Sequence, residues 1–183
     1  MEGAAKNDGI NLKIVSAYRG YDRQKTIWNK KYERFTNELS FEPEKAILEI
    51  IRFSTIPGTS RHHWGTEIDI VDADYPDEKD VLKSEKFKKN GIYHKLKNWL
   101  DKNSERFGFY LTYNNDSDRK GFEYEPWHYS YLPVSKKYLS KFLEIDIIEV
   151  ISKVDIHGKE LFSDDFISNY INNNILEINP NLK

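Results

Sequence analysis

The chain contains no cysteine. That single absence excludes disulfides, thiolate zinc sites and cysteine nucleophiles, so any metal must be held by histidine and carboxylate. Long apolar runs are missing too: no window approaches the ~20 residues that a membrane-crossing helix needs. Met1 to Asn11 is short and polar and lacks the apolar stretch of a signal peptide. Nor is there a surplus of positive charge, since 28 Lys and Arg face 30 Asp and Glu, for a net charge of −2. Phosphate-tracking proteins carry a basic balance or a dense basic stripe, so nucleic acid is excluded as a partner. The Lys-rich stretch 83–97 is broken by Glu85 and apolar residues and reads as a solvated helix face. Internal repeats and low-complexity linkers are also absent.

What remains is a soluble globular composition of 183 residues, 38% apolar and 32% charged, enough for one domain with a real core. A monomer is expected. Aromatics reach 14%, with 12 Tyr and 4 Trp, rings that fill cores or grip polar ligands. Ala4 to Gly9 reads as the last turn of a helix with Gly9 as its stop, which suggests a domain trimmed of an upstream segment.

Leu12–Ser16 is a short apolar run and a strand candidate. Helical spacing follows over Tyr21–Phe35, and Pro43 opens a second helix reaching Arg52. Pro57-Gly58 breaks the chain. In the strand Glu67–Val71, alternation sets Ile68 and Ile70 on one face and Glu67, Asp69 and Val71 on the other. Tyr93–Arg106 reads as a helix, Gly108–Tyr113 as a strand, and Phe122–Tyr131 as a strand disturbed by Pro126. From Ser135 onward the pattern is helical. Strands and helices intermix without regular alternation, which predicts an α+β domain with a largely antiparallel sheet. Residues 1–134 form its core and 135–183 a helical C-terminal extension packed on that core, bordering any substrate groove.

Two clusters carry chemistry. Ser60 to Asp69 supplies two imidazoles and an acid, and Glu125-Pro126-Trp127-His128 adds an acid beside another imidazole. His62, Asp69 and His128 as ligands leave the fourth position of a tetrahedral zinc open, the pattern of a catalytic site, where water becomes acidic enough to react near pH ~7. A carboxylate beside that water can take its proton and pass it to a leaving amine. Glu125 is placed for this only if the chain bends at Pro126, because positions 125 and 128 of a flat strand face opposite ways.

The pattern Ser-x-His-x-x-Gly-x-x-x-Asp followed by Glu-x-Trp-His resembles the VanY-type D-alanyl-D-alanine carboxypeptidases of the LAS superfamily, named for lysostaphin, D-Ala-D-Ala peptidases and the Hedgehog signalling domain. Ser16 to Gln24, Trp99-Leu100 with Phe107-Gly108-Phe109, and Gly121 to Tyr129 are similar to further family segments, so the resemblance runs from about Ala5 to Pro133. It implies a Hedgehog/D-Ala-D-Ala peptidase-like fold with Zn2+ on His62, Asp69 and His128, and Glu125 as general base and then acid. It also implies that Arg19 stabilises developing charge, with Gln24, Ser60 and Trp127 at the substrate. The implied substrate is a peptidoglycan stem peptide ending in D-alanine, cut in the cell envelope. An L,D-carboxypeptidase, an endopeptidase and a non-catalytic zinc-stabilised module are the alternatives. The chain departs from the family at Glu67, where alanine is usual. That carboxylate is solvated at the rim or shifts the site's charge. His63 beside His62 is the less favoured ligand by spacing.

Overall fold

A computed structural model describes residues 1–183. Four strands, β1 (Leu12–Ser16), β2 (Glu67–Asp72), β3 (Phe109–Leu111) and β4 (His128–Tyr131), form one sheet in the order β1-β2-β4-β3. Every neighbouring pair is antiparallel. Helix α1 (Glu2–Asn7) precedes the sheet, and α2 (Tyr21–Glu33) and α3 (Pro43–Ile50) fill the long connection from β1 to β2. Helix α4 (His94–Asn103) lies between β2 and β3, and α5 (Leu132–Phe142), α6 (Ile147–Ser152) and α7 (Asp164–Tyr170) follow β4. No helix is long and apolar enough to cross a membrane.

The sheet is covered on both faces. Alternation along β2 and β4 sends Ile70 and Tyr129 into a cluster with Leu96, Trp99 and Leu100 of α4 and with Ala5 of α1. The opposite face carries Glu67, Asp69, His128 and Ser130. The larger cluster of 17 buried residues joins Trp28, Ile47, Ile50, Ile56, Tyr113 and Phe122 to 11 residues from Leu139 to Leu182. The C-terminal helices therefore complete the core that α2 and α3 begin. The tail also covers the free edge of the sheet, since Asn179 donates from its backbone to Thr112 O and from its side chain to Leu111 O.

Differences from the expected elements are local. The strand expected over Phe122–Tyr131 pairs only from His128, because Pro126 has no N–H for the ladder. Helix α5 starts at Leu132, earlier than expected, with Pro133 in its first turn. Helix α4 tightens into a 3-10 turn over Ser104–Phe107 and stops at Gly108, whose φ of 80° favours glycine.

Candidate active site

The site is built on the register between β2 and β4. Asp69 pairs with His128, and Glu67 pairs with Ser130, so the four side chains stand on one face as two cross-strand neighbours. The short loop before β2 brings in the third donor. Arg61–Trp64 forms a single 3-10 turn, closed by Gly65 at φ 70°, a backbone state that explains the glycine of the motif. Glu125 arrives through a tight turn: His128 N–H donates to Glu125 O at 3.0 Å, with Pro126 in the second position. The bend at Pro126 brings the Glu125 carboxylate 3.1 Å from His128 Nδ1.

His62, Asp69 and His128 are all buried, and their donor atoms lie within 4.8 Å of one another. His62 Nε2 is 3.6 Å from Asp69 Oδ2, and His128 Nδ1 is 3.5 Å from Asp69 Oδ1. A tetrahedral zinc with ligands at ~2.0–2.2 Å has edges of roughly 3.3–3.6 Å, which the two histidine–aspartate spacings match. The outer nitrogens are already engaged. His62 Nδ1 lies 2.7 Å from Ala17 O, and His128 Nε2 lies 2.9 Å from a Glu67 carboxylate oxygen. Each ring thus turns one nitrogen inward, His62 by Nε2 and His128 by Nδ1. Asp69 Oδ1 is buried and has no hydrogen-bond partner, a condition that a cation satisfies.

The electrostatics point the same way. Burial lowers the His62 pKa to about 3, keeping it neutral. Burial would also lower His128, but hydrogen bonds to Glu125 and Glu67 and the charge of Asp69 overcome it and raise the ring to about 10. Burial raises Asp69 to about 6. A proton on His128 thus occupies the position between carboxylates where a metal ion would bind.

His63 lies outside this set. Its Nε2 accepts from Gly58 N–H, and its Nδ1 is 2.5 Å from Arg19 O, so both nitrogens serve the loop. Arg19 lines the cleft, and its guanidinium donates to Gln24 Oε1 at 2.8 Å and to Ser16 Oγ at 3.1 Å. Gln24 is fully buried and donates in turn to Thr55 O. Gln24, expected close to Arg19 and at the peptide, lies beside Arg19 and is not among the residues that line the cleft. Ser60 and Trp127 line the cleft, and the Trp127 ring packs against Phe87. The Glu67 expectation divides. The carboxylate has no exposure, so the rim placement fails; its contact with His128 puts it among the charges of the site.

The cleft encloses about 900 Å³. The stretch Asp80 to Glu85 lines it as well, and no residue of 135–183 does, so the extension does not border the groove. Lys31 is a lining residue that sequence reasoning missed. It donates to Ser54 Oγ at 2.6 Å, and burial lowers its pKa against the opposing charge of Glu125. It lies one helical turn after the buried Trp28 and belongs to no motif.

The family model for VanY, D-alanyl-D-alanine carboxypeptidase, matches residues 1–134. The chain is 34% identical over 135 residues to the YodJ protein of Bacillus subtilis, covering 72% of this chain and 42% of that protein. It is 32% identical over 132 residues to a D-alanyl-D-alanine carboxypeptidase of Enterococcus faecalis, covering 72% and 44%. The chain thus spans less than half the length of these two relatives. Among solved structures, it resembles the vancomycin resistance D,D-pentapeptidase VanY from a VanB-type resistance cassette, in complex with Zn(II), at 26% identity and a TM-score of 0.56, covering 79% of this chain and 72% of that one. It also resembles the LdcB LD-carboxypeptidase at 28% identity and a TM-score of 0.53, covering 84% and 64%.

Proposed function

The chain belongs to the VanY family of D-alanyl-D-alanine carboxypeptidases, and on that premise we propose that it releases C-terminal D-alanine from peptidoglycan stem peptides in the cell envelope. One observation carries the reading: three buried donors converge from two strands and a loop, with Glu125 within 3.1 Å of one of them and a cleft in front.

His62, Asp69 and His128 are the residues that would hold Zn(II), the ion bound by the VanY relative of known structure. When bound, the ion supplies Lewis acidity, polarising the scissile carbonyl and making water acidic enough to react at neutral pH. Glu125 takes the proton of the attacking water and delivers it to the nitrogen of the departing D-alanine. Arg19, held by Gln24 and Ser16, offers its planar guanidinium to the negative charge that develops on the carbonyl oxygen. Lys31 supports a carboxypeptidase over an endopeptidase. It is a largely buried cation on the cleft wall, bonded to a hydroxyl and to no carboxylate, and it suits the free carboxylate of a terminal residue. Residues 135–183, which supply most of the larger core cluster, belong to the same folding unit as 1–134 on this reading.

The similarity to LdcB favours a second reading, cleavage of the L,D bond of a tetrapeptide stem. Mass spectrometry of defined tri-, tetra- and pentapeptide stems after incubation with the zinc-loaded protein separates the two. Conversion of pentapeptide to tetrapeptide is the expected result. Conversion of tetrapeptide to tripeptide would favour the L,D reading, and no loss of D-alanine from any stem would overturn both.

A further inference from the structure

Glu67 lies two residues before Asp69 on β2 and is fully buried. A carboxylate in such a place is costly unless it is charged, paired and saturated with donors. This one is. Oε1 accepts from Thr66 Oγ1 at 3.0 Å and Ser130 Oγ at 2.6 Å, and Arg61 Nη2 lies 3.1 Å away. Oε2 accepts from Thr112 Oγ1 at 3.1 Å and contacts His128 Nε2 at 2.9 Å. Arg61 is itself buried, donates to Ser130 Oγ and stacks 4.7 Å over the Trp64 ring. The network therefore draws on β2, β4, the residue after β3 and the turn that carries His62.

We propose that Glu67 is a positioning residue for the metal: anchored by Arg61, Ser130 and Thr112, it fixes the His128 ring and holds the hydrogen on Nε2, which leaves Nδ1, turned toward Asp69, as the nitrogen that a metal would take. An ionised carboxylate can only accept, so the nitrogen beside it must carry the hydrogen. Carboxylate partners of this kind orient metal-bound imidazoles and raise their basicity. The inference rests on the zinc reading above, but it concerns the chain's own hydrogen-bond polarity.

Glu67→Gln tests it, because the shape is kept while the polarity is split. The substituted side chain can turn its one amide oxygen to Arg61 or to His128, not to both. Arg61 holds the stronger claim as a buried cation, so the amide N–H2 is left against His128 Nε2. The ring then accepts there and carries its hydrogen on Nδ1, where the metal should bind. Zinc affinity, measured by competition with a chromophoric chelator at pH 7.5, is expected to fall about 10–100-fold in Glu67→Gln. The double variant Glu67→Gln/Arg61→Met frees the amide to turn its oxygen toward His128, so it should recover most of that loss. A purely structural role predicts no such rescue.

Imidazole 1H–15N correlation spectra of the wild-type protein give a second measurement that no variant's folding can spoil. With zinc bound, His128 should carry its hydrogen on Nε2 and His62 on Nδ1. Glu67→Gln within about threefold of wild type, a double variant no tighter than Glu67→Gln, or His128 protonated on Nδ1 with zinc present would each overturn the assignment. A wild-type protein that binds no stoichiometric zinc would instead defeat the metal reading on which it rests, and the assignment with it.

Discussion

Tyr170 ties the C-terminal extension to the loop that delivers His62, and replacing it with phenylalanine isolates that tie. Its ring is 1% exposed, and the phenol oxygen accepts from Ile56 N–H at 3.0 Å. Thr59 Oγ1 donates to Ile56 O at 2.7 Å, so the Tyr170 hydroxyl must donate to Thr59 Oγ1, also at 2.7 Å. Burial pushes the phenol well above its ordinary pKa, so it remains a neutral donor at any working pH. Tyr170→Phe keeps the ring and leaves almost no cavity. What it removes is the partner of a buried backbone N–H, while Thr59 keeps its bond to Ile56 O. The cost of an orphaned buried donor is ~1–3 kcal/mol. For a domain of this size each kcal/mol corresponds to ~2–4 °C in Tm. Urea unfolding at fixed zinc should show a lower midpoint with an unchanged slope. Tyr138→Phe, at a ring that is 47% exposed, serves as the control and should stay within ~0.5 kcal/mol. A Tyr170→Phe loss as small as that of the control would refute the reasoning, because the Ile56 N–H would then have a partner other than the phenol.

Glu125→Gln should lower kcat for D-alanine release about 10²–10⁴-fold while zinc content by elemental analysis stays stoichiometric. Zinc uptake near pH 7 should release about one proton per ion, seen by calorimetry in buffers of differing ionisation enthalpy, because His128 is protonated in the metal-free protein and must give up the Nδ1 hydrogen. The sign extends to stability. The raised His128 pKa contributes to the metal-free fold fully below 6.5, and that contribution is lost as pH rises through about 10, so the Tm gap between zinc-loaded and metal-free protein should widen over that window. A chain ending at Val134 loses 11 of the 17 residues of the larger core cluster and should show neither near-UV dichroism nor a cooperative melt.

Much of the site was legible in the sequence because its signals are local. The ligands sit in short segments whose spacing reports their geometry. Strand alternation alone put Glu67 and Asp69 on one face, and Pro126 marked the one point where a bend could bring Glu125 to His128. Residue type did the rest, since a chain without cysteine has only histidine and carboxylate to offer a metal.

Depth and polarity were decided by the tertiary structure. Alternation says which face a side chain takes but not what covers it. Whether Glu67 met water or a buried cation depended on Arg61, Thr112 and Ser130, three residues from separate segments. The same holds for Gln24, whose place beside Arg19 required the backbone of Thr55, and for His63, whose nitrogens are claimed by Gly58 and Arg19. Which nitrogen of each histidine faces the metal site follows from what the other nitrogen touches, and those partners, Ala17 O and Glu67, reach the two rings only when the sheet is assembled.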